Sequence, residues 1–247
     1  MIVMCPELYS ECTLRAELSP EVLSALEEAT SDVVTIEAGN DLVTSGEAVS
    51  HIHYLLRGTV VRYREDKKGQ RQVVGIGLHG EFLDIDSFQL RVPNYSMRSL
   101  DTAEVAKIPF DGLAALLCRF PDMVRTLWTS TVSEGIALQY WIFRIGRLRG
   151  EGRIAHLICE LAERLRQYGR FEGGALNLPL RQCDYAEACG MTPIHANRCF
   201  ASLRERGFVD VKRARTLHVL AEPELRKLAM FNVLAVSSEG DASRNTK

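Results

Sequence analysis

Between Val33 and Phe110 the chain changes its hydrophobic period to two, and glycine interrupts it again and again. "VVTIEAG", "DLVTSGE", "HIHYLLRGTVVRYRED", "QRQVVGIGL" and "SMRSLDTAEVAKIPF" follow one another at about ten-residue spacing. Runs of this length alternate inward and outward side chains and suit short antiparallel strands. Gly39, Gly46, Gly58 and Gly69 mark the ends, and "DKKGQ" before "RQVVGI" reads as a hairpin connection. So many short strands predict an antiparallel roll or barrel. "PEVLSALEEAT" before them reads as a short helix with Ser19 as N-cap and Pro20 in first position.

After the strands the period becomes helical. Residues 110–118 predict a short helix, and Pro121 opens a long one, "PDMVRTLWTSTVSEGIALQYWIFRIGRLRG". Along it Val124, Trp128, Thr131, Gly135, Leu138, Ile142 and Ile145 alternate spacings of four and three, a coiled-coil-like seam. A second apolar face (Leu127, Ile136, Phe143) accompanies it. One face can lie on the roll and the other on a second copy, so the seam is read as a homodimer contact, against a helix that merely covers its own roll.

The stretch "CGMTPIHANR" carries the most specific signal. "RQCDYAEAC" reads as a helix ended by Gly190 in a left-handed cap. Thr192 then suits an N-cap and Pro193 a first helical position. Two helices on a three-residue elbow make a helix-turn-helix. Ala186, Cys189, Ala196, Phe200 and Leu203 form its inner face, leaving Pro193, Ile194, Asn197 and Arg198 outward near the start of the second helix. That end reaches base edges in the major groove, where Arg can pair with guanine and Asn with adenine. "FVDVKRARTLHVLA" follows as a hairpin with Lys212, Arg213 and Arg215 on its turn, suited to phosphate. Charge agrees: residues 1–140 hold 12 Lys/Arg against 20 Asp/Glu, and residues 141–230 hold 16 against 10.

The segment "LPLRQCDYAEACGMTPIHANRCFASLRERGFVDVKRARTLHV" resembles the winged helix-turn-helix of the Crp–Fnr transcription regulators, and the likeness extends to the roll and the long helix. The resemblance implies an α+β chain. Residues 1–120 would be an antiparallel β-roll like a cyclic-nucleotide-binding jelly roll, and 121–150 a dimerisation helix. Residues 151–231 would be a winged helix-turn-helix and 232–247 a disordered tail. It implies a cytoplasmic homodimer on a two-fold symmetric operator in double-stranded DNA, with RNA polymerase as a further partner. Matching positions make Arg198 the recognition arginine and place Arg181, Gln182, Thr192 and His195 at phosphates. Pro193 and Ile194 depart from the family's hydrogen-bonding residues, which implies a different operator.

The resemblance also frames the effector. Members that bind cAMP open a phosphate cassette with Gly-Glu and close it with Arg-Ser. Gly80-Glu81 is here, but the Arg-Ser positions fall on Pro93 and Asn94. Arg91 and Arg98 are the cations left to serve a pocket with Gly80 and Glu81. The reading is an empty or repurposed pocket without cAMP; the alternative is a roll that still takes a nucleotide or other small effector. Oxygen-sensing members hold an iron–sulfur cluster on an N-terminal cysteine group plus one roll cysteine. Here only Cys5 and Cys12 precede the roll and Ala106 takes the roll position, so no cluster is expected; the alternative is a three-cysteine site completed by Cys118. Cys159, Cys183, Cys189 and Cys199 read as small core residues.

Other chemistry finds little footing. "GIGLHG" (Gly75 to Gly80) matches a dinucleotide fingerprint, yet the chain that follows is short, acidic and stopped by Pro93. His51, His53 and His79 lack metal-ligand spacing, no catalytic constellation occurs, and no metal or enzyme activity is expected. No apolar run reaches the length of a membrane span, no secretory signal is read at the start, and seven irregular cysteines suit a reducing compartment.

Overall fold

A computed structural model describes residues 8, 9, 14, 18–211 and 216–232. Helix α1, Pro20–Ala29, starts where the Ser19 hydroxyl accepts from the Val22 amide and buries Val22 and Leu26. Strands β1 (Asp32–Ile36), β2 (Asp41–Val43), β3 (His51–Arg57), β4 (Thr59–Glu65) and β5 (Arg71–Leu78) follow. Helix α2 (Ser87–Leu90) and strands β6 (Ser96–Ser99) and β7 (Ala103–Pro109) complete the roll. Two antiparallel sheets form it, ordered β1-β7-β3 and β2-β6-β4-β5. Between them sit Val43, Leu55, Val60, Leu83, Met97, Ala103 and Val105. The β4–β5 hairpin turns as expected, with the Asp66 carboxylate accepting from the amides of Lys68 and Gln70.

Helix α3, Phe110–Arg119, packs on α1, and after Phe120 the chain enters the 27-residue α4, Pro121–Arg147. At 1.5 Å per residue α4 is about 40 Å long. It buries Met123, Thr126, Leu127, Trp141 and Arg144. Helix α5, Gly150–Gln167, is enclosed along most of its length, with both Ile154 and His156 inside. Strand β8 (Ala175–Leu176), helices α6 (Gln182–Cys189) and α7 (Pro193–Glu205), strands β9 (Val209–Val211) and β10 (Leu217–Val219), and α8 (Glu222–Ala229) complete the order. The last three strands pair antiparallel as β8-β10-β9.

The roll and the C-terminal helices share one core. Val61, Tyr63, Val73, Ile76 and Leu78 point out of the roll and join Trp141, Leu161, Tyr185, Ala188 and Phe200 in one apolar cluster. Both faces of the β4–β5 ribbon are therefore covered. That explains why "RQVVGIGL" reads as a nearly continuous apolar run rather than strict alternation.

Candidate DNA-reading face and its anchorage

Helix α6 begins where the Asp184 carboxylate reaches back 2.6 Å to the Arg181 amide. It ends at Gly190, whose φ of 60° lies in the left-handed region where a Cβ would clash with its own carbonyl. The Met191 amide donates to Ala186 O at 3.0 Å and closes the elbow. Thr192 caps α7 by accepting from the His195 amide, and Pro193 holds the first position. Ala186, Cys189, Ala196, Phe200 and Leu203 are all buried, and the Tyr185 and Phe200 rings meet edge to face at 5.2 Å. Small residues at the crossing let the two backbones approach while the aromatic pair fills the space behind.

The opposite face is open. Pro193, Ile194, Asn197 and Arg198 are exposed, Ile194 by 69%. Arg198 makes no ion pair with any described residue. Arg181, Gln182 and Thr192 are exposed beside them. Arg181 pairs with Asp184 yet keeps 58% of its side chain in solvent. His195 is exposed too, but its ring leans on Gly150, where a Cβ would collide with it, and its Nε2 lies 3.7 Å from Cys199 Sγ. Lys212, Arg213 and Arg215 lie outside the described residues; the strands on either side of them pair, Val211 with Leu217.

Behind the elbow the last carbonyls of α6 meet donors from three other elements. Gln72 of β5 donates to Glu187 O at 2.6 Å, and Arg144 of α4 to Ala188 O at 3.3 Å. Arg153 of α5 donates to Cys189 O at 3.2 Å and Gly190 O at 3.4 Å. Arg153 also holds Ile145 O and Leu148 O, where α4 ends. Arg144 is wholly buried, bonded to Glu160 at 2.9 Å and stacked on Trp141, whose indole donates to the same carboxylate. Nothing in the sequence reading found this set, because its donors lie far apart along the chain.

Two family models match this architecture. Residues 33–119 match a cyclic nucleotide-binding domain, and residues 152–228 a Crp-like helix-turn-helix domain. The chain belongs to the Crp–Fnr family of transcription regulators. It carries that family's DNA-binding helix-turn-helix. This Crp–Fnr chain is 23% identical over 224 residues to Electron transport regulator A of Shewanella oneidensis, covering 89% of each. It is 24% identical over 204 residues to the Anaerobic regulatory protein of Haemophilus influenzae, covering 82% of this chain and 79% of that one. Its fold is that of FixK2 from Bradyrhizobium japonicum, with a TM-score of 0.74 at 18% identity over 82% of this chain and 98% of that one.

Within this Crp–Fnr roll, the residues considered for an effector pocket each have partners of their own. Glu81 accepts from Arg164 of α5 at 2.5 and 3.2 Å and from the Tyr168 hydroxyl at 2.8 Å, so it joins the roll to the DNA-binding domain. The Gly80 amide donates to Leu55 O. Arg98 pairs with Asp41 at 2.7 and 2.8 Å; burial alone would raise the Asp41 pKa, but these bonds outweigh it and hold the carboxyl low. Arg91 stacks 4.0 Å above Phe110.

The cation inside the roll is Arg62, which the sequence reading passed over. It pairs with Glu134 of α4, donates to Leu83 O at 3.2 Å and faces the Tyr95 ring. Its cross-strand partner is Gly75, where a Cβ would lie 2.6 Å from Arg62 Nε. The available signal was a cation placed opposite a glycine across a hairpin. The same register settles "GIGLHG": Gly75 and Gly77 lie within β5, and no helix follows before Ser87.

Along α4, Val124, Trp128, Thr131, Leu138 and Ile142 are exposed, Trp128 and Ile142 by 73% each. Gly135 and Ile145 are half-buried, and Ile145 lies against the helix-turn-helix elbow at Gly190. Val132, at 42% exposure, extends the apolar face. Cys159, Cys189 and Cys199 are buried as expected, and burial pushes the thiols of Cys159 and Cys189 up to about 12. Cys183 is half-exposed, a correction to its core reading, because it sits on the outer side of the first turn of α6. Cys118 is exposed, and Cys5 and Cys12 lie outside the described residues. Among the described residues no helix is long and apolar enough to cross a membrane.

Proposed function

We propose that this regulator acts in the cytoplasm as a homodimer on a two-fold symmetric operator, with α7 of each copy in a major groove. The observation that carries the reading is the split of α7. Ala196, Cys199, Phe200 and Leu203 are buried, while Pro193, Ile194, Asn197 and Arg198 stand in solvent. Arg198 and Asn197 read base edges, Ile194 and Pro193 supply apolar contact, and Arg181, Gln182, Thr192 and His195 meet phosphates. Lys212, Arg213 and Arg215 extend that contact from the wing. The exposed Val124–Trp128–Leu138–Ile142 face supports dimerisation, since an apolar stripe of this length is seldom left in water. Two copies would set the reading helices about 34 Å apart, one turn of the duplex. RNA polymerase is the further partner that the family likeness suggests.

The roll works without cAMP and without an iron–sulfur cluster in this reading. Support comes from Glu81, Arg91 and Arg98, each committed to a partner within the protein. Selection from random duplex DNA tests the whole proposal. Enriched fragments should carry two inverted half-sites about one helical turn apart. Enrichment of single or directly repeated sites would refute the two-fold reading. Calorimetry with cyclic nucleotides should give no heat of binding; saturable heat would restore the roll as a nucleotide sensor.

A further inference from the structure

The helix-turn-helix is held from behind. A helix leaves its last carbonyls without intrahelical partners. In α6 the Ala186 carbonyl is answered by the elbow's own amides, whereas Glu187, Ala188, Cys189 and Gly190 accept from Gln72, Arg144 and Arg153. One donor comes from the roll, one from the long helix, and one from a side chain that also grips the end of that helix. Cationic donors at a helix C-terminus are further favoured by the helix dipole. Glu81 adds a second tie on the same side, between the roll and Arg164. All of these contacts lie away from Pro193, Asn197 and Arg198, which stay exposed. They do not cover that face; they tie the carbonyl end of α6 to the roll and to α4.

We infer that Gln72, Arg144 and Arg153 are positioning residues: by clamping the carbonyl end of α6 to the roll and the long helix, they aim α7 so that both copies of a dimer engage their half-sites at once. The inference rests on the two-fold reading above. A single reading head needs no fixed direction, because it turns freely onto one half-site. Two heads joined through α4 need it, since each loses orientational freedom on binding unless that freedom is already removed.

The test uses the full chain and two duplexes, one with both selected half-sites and one with a single half-site, read by fluorescence anisotropy at fixed salt. Gln72 is the donor to change, being half-exposed, whereas Arg144 is buried and its loss would disturb folding. Gln72→Met keeps the shape and removes the donor; Gln72→Lys keeps a donor. Gln72→Met should weaken binding to the double site about five-fold, the worth of one hydrogen bond, and leave the single site unchanged. Gln72→Lys should bind the double site like the parent. The clamp is overturned if Gln72→Met leaves the double site unaffected, weakens both duplexes equally, or is matched by Gln72→Lys. A parent chain that binds both duplexes alike refutes the two-fold reading instead. Amide exchange then judges the clamp by itself: Gln72→Met should speed exchange across residues 186–191, and unchanged exchange overturns it.

Discussion

Arg198 and His156 show how burial decides what a side chain can do. Arg198 lies on the open side of α7 with no described ion-pair partner, so its planar fork of donors is available to a guanine edge. Arg198→Ala should lower affinity by about 1–3 kcal/mol and relax sequence choice at one base pair per half-site. Uniform weakening across all sequences in a competition assay would assign it to phosphate instead. His156 is the opposite case, buried among Tyr140, Phe143 and Phe231 with Nδ1 unbonded. Burial first, and the Arg144 cation second, push its pKa down from 6.5 to about 4. The folded chain thus keeps this imidazole neutral at pH values where the unfolded chain protonates it. Stability is level above about pH 6.5 and falls as pH drops towards 4, by up to about 3 kcal/mol from this group. His156→Leu should remove that part of the acid loss. Urea unfolding of both proteins near neutrality and at about pH 5 checks it, and parallel losses would discount the residue.

At the scale of elements, the elbow between α6 and α7 depends on one backbone conformation. Space exists for a methyl group at Gly190, the nearest atom being Gln72 Oε1 at 3.5 Å, so the constraint is φ and not crowding. Gly190→Ala should therefore cost about 1–2 kcal/mol, and Gly190→Asn less, because Asn tolerates the left-handed region better. Equal urea midpoints for the parent and Gly190→Ala would show that the elbow can relax. This element was legible in the sequence: Gly190, Thr192 and Pro193 act within a few residues of one another, and local chemistry is what a sequence displays. The β4–β5 ribbon was legible only in part. Its strands and turn were clear, but burial of both faces depends on helices from the far end of the chain. Arg62 and Gly75 had to be paired across the hairpin before their fit could be seen.

For the molecule as a whole, the apolar face of α4 and the shared core make the opposite demands of a surface and an interior. Leu138 and Ile142 are exposed by 46% and 73% on a face that continues through Trp128. Ile142→Glu would place a charge on that face without touching this chain's own core. Sedimentation should show a monomer that keeps its melting temperature at low concentration and loses tight binding to the double site. A dimer that survived the change would put the contact elsewhere. The sequence by itself determined the strands, the helices, the elbow and which positions at the start of α7 face outward, because periodicity, caps and positive-φ glycines act over a few residues. Only the tertiary structure decided which distant groups meet: Glu81 with Arg164, Arg62 with Glu134, and Gln72, Arg144 and Arg153 with the carbonyls of α6. Those pairings depend on how sheet and helices stack around one core, and short-range pattern carries no record of that stacking.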